Sequence, residues 1–120
     1  MKVLIADDVM DNQLLMESHM RNLGWEYKIV NNGLQAINAC KNEHFDAIIM
    51  DIRMPVLDGI EAAKYIRVLN KVTPIIALTA YMSEIIRKQC DEAEMNALIE
   101  KPSSFEEIKN AIITLVGLVE

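Results

Sequence analysis

The sequence has no long uninterrupted apolar run. Hydrophobic residues make up 52% of the 120 residues, but charged side chains interrupt them throughout the chain. No stretch approaches the roughly 20 apolar residues that a helix needs to cross a bilayer, and the first residues do not have the layout of a signal peptide. We therefore expect a cytoplasmic protein that makes no contact with a membrane.

Positive charge is also scarce. The chain has 12 Lys and Arg residues against 18 Asp and Glu residues, which gives a formal net charge of -6 at pH 7. Binding to nucleic-acid phosphates requires a concentrated basic face. The composition therefore argues against direct binding of nucleic acid, and the acidic residues become the feature that needs an explanation.

Cysteine is rare, and its two copies do not form the pattern of a metal or redox site. Cys40 and Cys90 lie far apart, without a C-x-x-C motif and without ligand spacing to His19 or His44. Buried free cysteine usually packs as a small apolar side chain. We predict structural roles for both cysteines, and packing or surface roles for both histidines.

Repeats, linkers and low-complexity tracts are absent as well, so the chain fits one ordinary domain. Short apolar runs alternate with longer segments in which apolar residues recur every three or four positions. This pattern predicts five strands separated by helices, with five helices in all. The predicted strands are residues 2–6, 26–30, 45–50, 74–78 and 96–99.

Polar residues mark where several of the predicted helices begin. Asp58 with Glu61, and Ser104 with Glu107, have the spacing of a capping box, and Ser83 precedes the fourth helix. The buried positions predicted for the second helix are Leu34, Ile37 and Cys40, and those for the fifth are Phe105, Ile108, Ile112 and Leu115.

Strands alternating with helices fold as a parallel sheet that is covered on both faces. Such strands are almost continuously apolar, as IIM at 48–50 and IIAL at 75–78 are. The pattern alone allows either of the common doubly wound strand orders. With five strands, we predict a flavodoxin-like (βα)5 doubly wound α/β sheet with strand order 2-1-3-4-5, in one domain over residues 1–120. Ligands of such sheets bind beyond the carboxyl ends of the strands, where the strand order reverses between strands 1 and 3.

Polar side chains stand at the carboxyl ends of four of these strands. Strand 1 ends in Asp7 and Asp8, strand 3 in Asp51, strand 4 in Thr79 and strand 5 in Lys101. One such residue is ordinary in a turn. Five of them at one edge of a sheet indicate a functional site.

Three carboxylates brought together repel one another, by on the order of 4 kcal/mol for a pair 4 Å apart at an effective dielectric constant near 20. Hard oxygen ligands without nearby Cys or His suit Mg²⁺. A phosphoryl group would complete the site, because Mg²⁺ and Lys101 would neutralise its oxygens and the Thr79 hydroxyl would donate a hydrogen bond. Asp51 is the candidate nucleophile, since carboxylates form acyl phosphates.

With these motifs, the sequence resembles the receiver domains of two-component response regulators. The resemblance covers nearly the whole chain and rests on DD at 7–8, MDIRMPVLDG at 50–59, ALTA at 77–80 and EKP at 100–102. It implies phosphorelay signal transduction by a domain that is a phosphoacceptor and not an enzyme, and that assists its own phosphorylation and dephosphorylation.

The resemblance also implies a role for each acid. Asp51 would accept the phosphoryl group from a phosphohistidine of a histidine kinase or a histidine phosphotransfer domain. Asp8 and Asp51 would bind Mg²⁺ directly, Asp7 would bind it through water, and Arg53 would contribute its backbone carbonyl. The Mg²⁺ ion is the expected cofactor.

A switch of a protein-interaction face is implied as well. The phosphoryl group would draw Thr79 inward, and the face of helix 4, strand 5 and helix 5 would change its preference for a partner such as a downstream effector domain. The Lys101–Pro102 bond would be cis. The sequence departs from the family pattern at Leu98, where many members have Tyr or Phe, and at Glu94, where many have Gly.

Two alternatives remain open. Hydrolases of the haloacid dehalogenase type also combine a strand-end Asp with a Thr or Ser, a Lys and Mg²⁺, but they usually carry a second acid at the position of Arg53 and place the nucleophile after the first strand. A phosphate-independent interaction module with the same fold is the second alternative, although all the acids and the lysine are present here.

The segment from 77 to 96 most resembles receivers attached to hybrid sensor kinases, which favours a hybrid histidine kinase as the parent chain. No DNA-binding or other effector segment follows Glu120 in this sequence. We therefore expect either a stand-alone receiver or a piece of a larger protein.

Overall fold

The computed structural model describes residues 1–119, which form five strands and five helices. No helix in this part of the chain combines the length and the apolar character that crossing a membrane requires. The strands are β1 (Lys2–Ala6), β2 (Glu26–Val30), β3 (Ala47–Asp51), β4 (Ile75–Thr79) and β5 (Ala97–Glu100), and the helices are α1 (Met10–Leu23), α2 (Gly33–Asn42), α3 (Gly59–Leu69), α4 (Glu84–Glu92) and α5 (Phe105–Val119).

The strands form one parallel sheet in the order β2-β1-β3-β4-β5, which confirms the predicted flavodoxin-like architecture. Strands β3 and β4 lie inside the sheet, and every residue of both is buried. The edge strand β2 exposes alternate residues. The strand order reverses between β1 and β3, so the carboxyl ends of these two strands border the expected ligand site.

Successive residues of the inner strands point to opposite faces of the sheet and fill two separate cores. In β4, Ile75 and Ala77 join the core under α2, α3 and α4, whereas Ile76 and Leu78 join the core under α1 and α5. Cys90 is buried in the first of these cores. The strands are almost continuously apolar because both of their faces are covered.

The two predicted capping boxes form only in part. An Asp58 carboxylate oxygen accepts a hydrogen bond from the Glu61 N–H (2.9 Å), and the Ser104 hydroxyl accepts one from the Glu107 N–H (3.2 Å). Within residues 1–119, the reciprocal bonds from the two glutamate side chains do not form. The Glu61 carboxylate pairs instead with Lys64, one turn further along α3 (3.2 Å).

Strands β3, β4 and β5 lie one or two residues further along the chain than predicted. Asn96 directly precedes β5, and its side-chain oxygen accepts a hydrogen bond from the Ile75 N–H (2.8 Å) at the start of β4. With these bounds, Asp51 and Thr79 are the last residues of their strands. Ser83 caps α4 as predicted.

The inward position predicted for Leu34 is wrong, since its side chain is 49% exposed. Helix α2 packs through Ala36, Ile37 and Ala39, all of which are buried. The buried stripe therefore consists mainly of small residues, which allow the helix to lie close to the sheet. Cys40 is half-buried at the margin of this stripe.

Candidate functional site

Three carboxylates meet at the carboxyl ends of β1 and β3. The pairing of Ala6 with Met50 places the residues that follow, Asp7 and Asp51, side by side. One oxygen each of Asp7, Asp8 and Asp51 lies within 4.8 Å of the other two. Asp7 and Asp51 are only 5% and 6% exposed, whereas Asp8 is exposed. The structure thus brings the three predicted acids together and leaves one of them open to solvent.

Lys101 supplies the cation that pairs with Asp51. Its Nζ lies 2.9 Å from Asp51 Oδ2, and its backbone N–H donates to the Thr79 carbonyl (2.7 Å). Burial raises the pKa of the Asp51 carboxyl, and the Asp7 charge raises it further, while Lys101 and the Arg53 backbone N–H act in the opposite direction. The net shift is upward, so additional positive charge would stabilise the ionised form of Asp51.

Several hydrogen bonds fix the loop that carries Asp7 and Asp8. The Asp7 N–H donates to the Val30 carbonyl (3.1 Å), and Asp7 Oδ1 accepts from the Val9 N–H (2.9 Å). The Asp7 carbonyl accepts from Gln13 Nε2 (2.5 Å). These bonds connect the acidic loop to β2 on one side and to α1 on the other.

The loop after Asp51 requires glycine at residue 59. A Cβ at Gly59 would collide with the Asp51 carbonyl oxygen and would lie 2.8 Å from Met50 Cγ. The Gly59 N–H donates to the Ile52 carbonyl (2.8 Å), and Asp58 caps the helix that begins here. Helix α3 therefore starts directly against the backbone of Asp51, which explains the Asp58-Gly59 pair in the sequence motif.

Thr79 is buried at the end of β4, and its hydroxyl is engaged by the next loop. Thr79 Oγ1 donates to the Tyr81 carbonyl (3.0 Å) and accepts from the Tyr81 N–H (3.1 Å). The Tyr81 side chain is 72% exposed, and the centre of its ring lies 6.0 Å from the Arg53 guanidinium carbon. The structure places Thr79 at the predicted sheet edge, with its hydroxyl bonded to its own loop.

The donor set at this edge fits Mg²⁺. Carboxylates are hard oxygen ligands, and Mg²⁺ commonly uses one or two of them and retains several waters, for which the exposed Asp8 leaves room. Burial raises the pKa of Asp51 and so disfavours its ionised form, which a bound cation would stabilise. Softer donors are occupied elsewhere, since Cys90 is buried in the core and the His19 ring stacks on Phe105 with a centroid distance of 4.0 Å.

Many families share the flavodoxin-like fold, and a comparison with protein families shows to which of them this chain belongs. The sequence model described as response regulator receiver domain matches residues 3–113. The chain belongs to the response regulator receiver family. It is therefore a receiver domain of two-component systems, as its motifs imply.

Relatives of this receiver include histidine kinases. The hybrid signal transduction histidine kinase K of Dictyostelium discoideum is 33% identical in a match that covers 92% of this chain and 10% of that protein. The chain spans between 10% and 15% of the length of the first three curated relatives it matches.

Solved receiver structures share the whole fold. The receiver domain of the sensor histidine kinase PA1611 from Pseudomonas aeruginosa has a magnesium ion coordinated in its active site cleft, and it is 36% identical with a TM-score of 0.89 over 97% of both chains. The receiver of Ssk1 from Saccharomyces cerevisiae was crystallised with the histidine phosphotransfer protein Ypd1. It is 32% identical with a TM-score of 0.86 over 93% of this chain and 86% of that chain.

Both departures of this receiver from the family pattern have defined positions. Leu98 is half-buried on β5 and packs against the core under α2, α3 and α4. Glu94 has a φ of 59°, in the left-handed region that favours glycine, and its carbonyl accepts a hydrogen bond from Arg67 Nε (2.9 Å). The Lys101–Pro102 bond is cis, as the resemblance implies.

The residues predicted from the sequence omit two polar side chains with several partners. Gln13 Nε2 contacts Asn31 Oδ1 (2.6 Å) as well as the Asp7 carbonyl. Arg67 is 3% exposed and binds oxygens at the opposite end of the sheet. In the sequence, only the neighbouring apolar residue Ile66 of α3 hints that Arg67 is buried. The position of Gln13 in α1 resembles that of any solvent-facing helix residue.

Proposed function

We propose that this receiver accepts a phosphoryl group on Asp51 from the phosphohistidine of a partner protein, in a reaction that depends on Mg²⁺. The observation that carries the proposal is the environment of Asp51. It is buried beside Asp7 and Asp8 and bonded to Lys101, and burial raises its pKa, so that added positive charge would stabilise its ionised form. The domain acts as a phosphoacceptor and has no separate substrate of its own.

The transfer exchanges one bond to phosphorus for another. A carboxylate oxygen of Asp51 attacks the phosphorus, the P–N bond of the phosphohistidine breaks, and its electron pair returns to the imidazole, which leaves an acyl phosphate on Asp51. The Lys101 ammonium, 2.9 Å from Asp51, then pairs with an oxygen of the transferred group. Burial of Asp51 excludes water from part of this surface.

The metal would be held by Asp8, by Asp51 and by the backbone carbonyl of Arg53, with Asp7 acting through a water molecule. When bound, the ion supplies positive charge that offsets the carboxylates and the phosphoryl oxygens. The magnesium ion in the receiver of PA1611 supports this assignment.

Thr79 would report the phosphorylated state. Its hydroxyl would leave the Tyr81 backbone and donate to a phosphoryl oxygen, which frees the loop before α4 and alters the face formed by α4, β5 and α5. Leu98 stands in this face where many relatives have an aromatic ring, so the loop itself carries the change. The complex of the Ssk1 receiver with Ypd1 supports a histidine phosphotransfer domain as the partner.

Mass spectrometry after treatment with acetyl phosphate and Mg²⁺ tests the acceptor. We expect a gain of one phosphoryl group that disappears in Asp51→Asn and without Mg²⁺. Asp58→Asn is the matched control, because Asn also caps helices well and Asp58 lies outside the three clustered acids. A gain that survives Asp51→Asn refutes the acceptor. Sustained turnover of simple phosphate esters would favour a hydrolase instead.

A further inference from the structure

Gln13 lies in the first turn of α1, and its side-chain amide joins the acidic loop to a second loop. Gln13 Nε2 donates to the Asp7 carbonyl oxygen (2.5 Å) and to Asn31 Oδ1 (2.6 Å). A backbone carbonyl only accepts hydrogen bonds, so the amide nitrogen of Gln13 must face it, and this in turn fixes the orientation of the Asn31 amide. Both N–H donors of Gln13 are therefore used.

The bonds continue to the start of α2. The Asn31 N–H donates to Gln35 Oε1 (2.7 Å), and the Gln35 N–H donates to Asn32 Oδ1 (2.8 Å), which caps α2. We call Gln13, Asn31 and Gln35 the amide network. It connects the backbone of Asp7 to the first turns of two helices, so the acidic loop is held from both sides.

The acidic loop has a particular need for such support. Val9, the N-cap residue before α1, provides no side-chain cap, and Asp7 Oδ1 accepts a hydrogen bond from the Val9 N–H. One Asp7 oxygen is thus committed to the loop itself, while mutual repulsion among Asp7, Asp8 and Asp51 favours movement of the loop outward. The bond from Gln13 to the Asp7 carbonyl opposes that movement.

We propose that Gln13 is a positioning residue that holds the Asp7 and Asp8 carboxylates in the geometry that Mg²⁺ requires. The inference rests on the proposed function, in which these acids bind the ion. Mg²⁺ demands nearly ideal octahedral geometry, and residues that orient its ligands commonly change metal affinity about 10- to 100-fold when they are replaced. Gln13 acts through Asp7 and does not touch the metal or the phosphoryl group.

Titration calorimetry with MgCl₂ on the intact chain tests the role. Gln13→Met keeps the length of the side chain and removes both donors, so we expect about tenfold weaker Mg²⁺ binding. The urea midpoint of the metal-free protein should change little, because the loop is then free to relax. Gln89→Met, on the exposed surface of α4, is the matched control and should bind Mg²⁺ like the wild type.

Gln13→Glu separates positioning from simple electrostatics. The variant has the same shape and adds a negative charge, which by itself would strengthen binding of a cation. Its carboxylate cannot donate to the Asp7 carbonyl, so positioning predicts weaker binding. Tighter binding by Gln13→Glu, or binding by Gln13→Met within about twofold of the wild type, overturns the inference. A wild-type protein that does not bind Mg²⁺ overturns the metal assignment together with it.

Discussion

Buried charge is compensated differently at the two ends of the sheet, and the amino end is the simpler case. Arg67 is 3% exposed there, and its guanidinium donates to the carbonyls of Asn70 (3.2 Å), Thr73 (2.8 Å) and Glu94 (2.9 Å) and to Asn96 Oδ1 (2.8 Å). Burial lowers the pKa of Arg67, and the Glu94 charge opposes the shift. Neutral oxygens of the protein satisfy this cation.

At the carboxyl end, three carboxylates lie together, the Lys101 ammonium pairs with Asp51, and burial raises the pKa of Asp51. The protein's own atoms leave negative charge in excess here. The contrast shows that a buried charge alone does not identify a binding site. A charge that the protein satisfies, such as Arg67, is structural, whereas one that needs an outside ion indicates function.

We expect the largest change in stability from replacing Arg67 at the amino end of the sheet. Arg67→Met should lower the free energy of unfolding by about 3 kcal/mol, because several buried oxygens lose their donors. Urea unfolding measures the loss. Arg87→Met, on the exposed face of α4, is the control and should change stability little. Equal stability of the two variants would show that the hydrogen bonds of Arg67 do not stabilise the fold.

A smaller effect of opposite sign is expected at the carboxyl end. In metal-free buffer, Asp7→Asn should stabilise the protein by about 1 kcal/mol, because one repelling charge is removed while the amide oxygen still accepts from the Val9 N–H. Added Mg²⁺ should stabilise the wild type more than the variant. Thermal melts with and without Mg²⁺ measure both effects, with Asp91→Asn as the control on α4. If Asp7→Asn is less stable than the wild type without Mg²⁺, repulsion among the three carboxylates does not destabilise the metal-free protein.

We expect the smallest change in stability at Glu43, an acid near the amino end of the sheet that is paired with two lysines. Hydrogen bonds from Lys2 and Lys28 (2.6 Å each) lower the pKa of Glu43 from its ordinary value of 4.5 to about 2. A lowered pKa means that Glu43 stabilises the fold above about pH 4.5, and that this contribution is lost as the pH falls towards 2. Unfolding of the wild type and Glu43→Gln across this range should therefore converge at low pH. If the two proteins differ in stability by the same amount at every pH, the bonds from Lys2 and Lys28 do not lower the pKa of Glu43.

The strand order was predictable from the sequence because alternating strands and helices allow few topologies, and the site residues were predictable because parallel strands end at one edge. Burial of α2 was not, since Ala36 and Ala39 contribute less hydrophobicity than the exposed Leu34. The left-handed φ of Val56 (68°) has no signal in its residue type, whereas that of Glu94 (59°) is indicated only by the Gly that many family members have at this position.

Side-chain partners account for the rest of what the sequence did not predict. A Gln in the first turn of a helix is ordinary, and only the fold reveals that Gln13 faces the Asp7 carbonyl. In the same way, the sequence predicts Thr79 at the sheet edge but not that its hydroxyl is bonded to Tyr81. These bonds join residues only six and two positions apart, but they depend on the path of the loops after β1 and β4, which the residue types do not specify.

Under the proposed function, the two bonds between the Thr79 hydroxyl and the Tyr81 backbone set the output of this receiver in the absence of phosphorylation. Each neutral bond contributes about 1 kcal/mol in water, so the arrangement with both broken lies about 2 kcal/mol higher. That gap leaves about one molecule in thirty in the alternative arrangement. Under the proposed function, this fraction is a basal output, and phosphorylation can raise the output at most about thirtyfold above it.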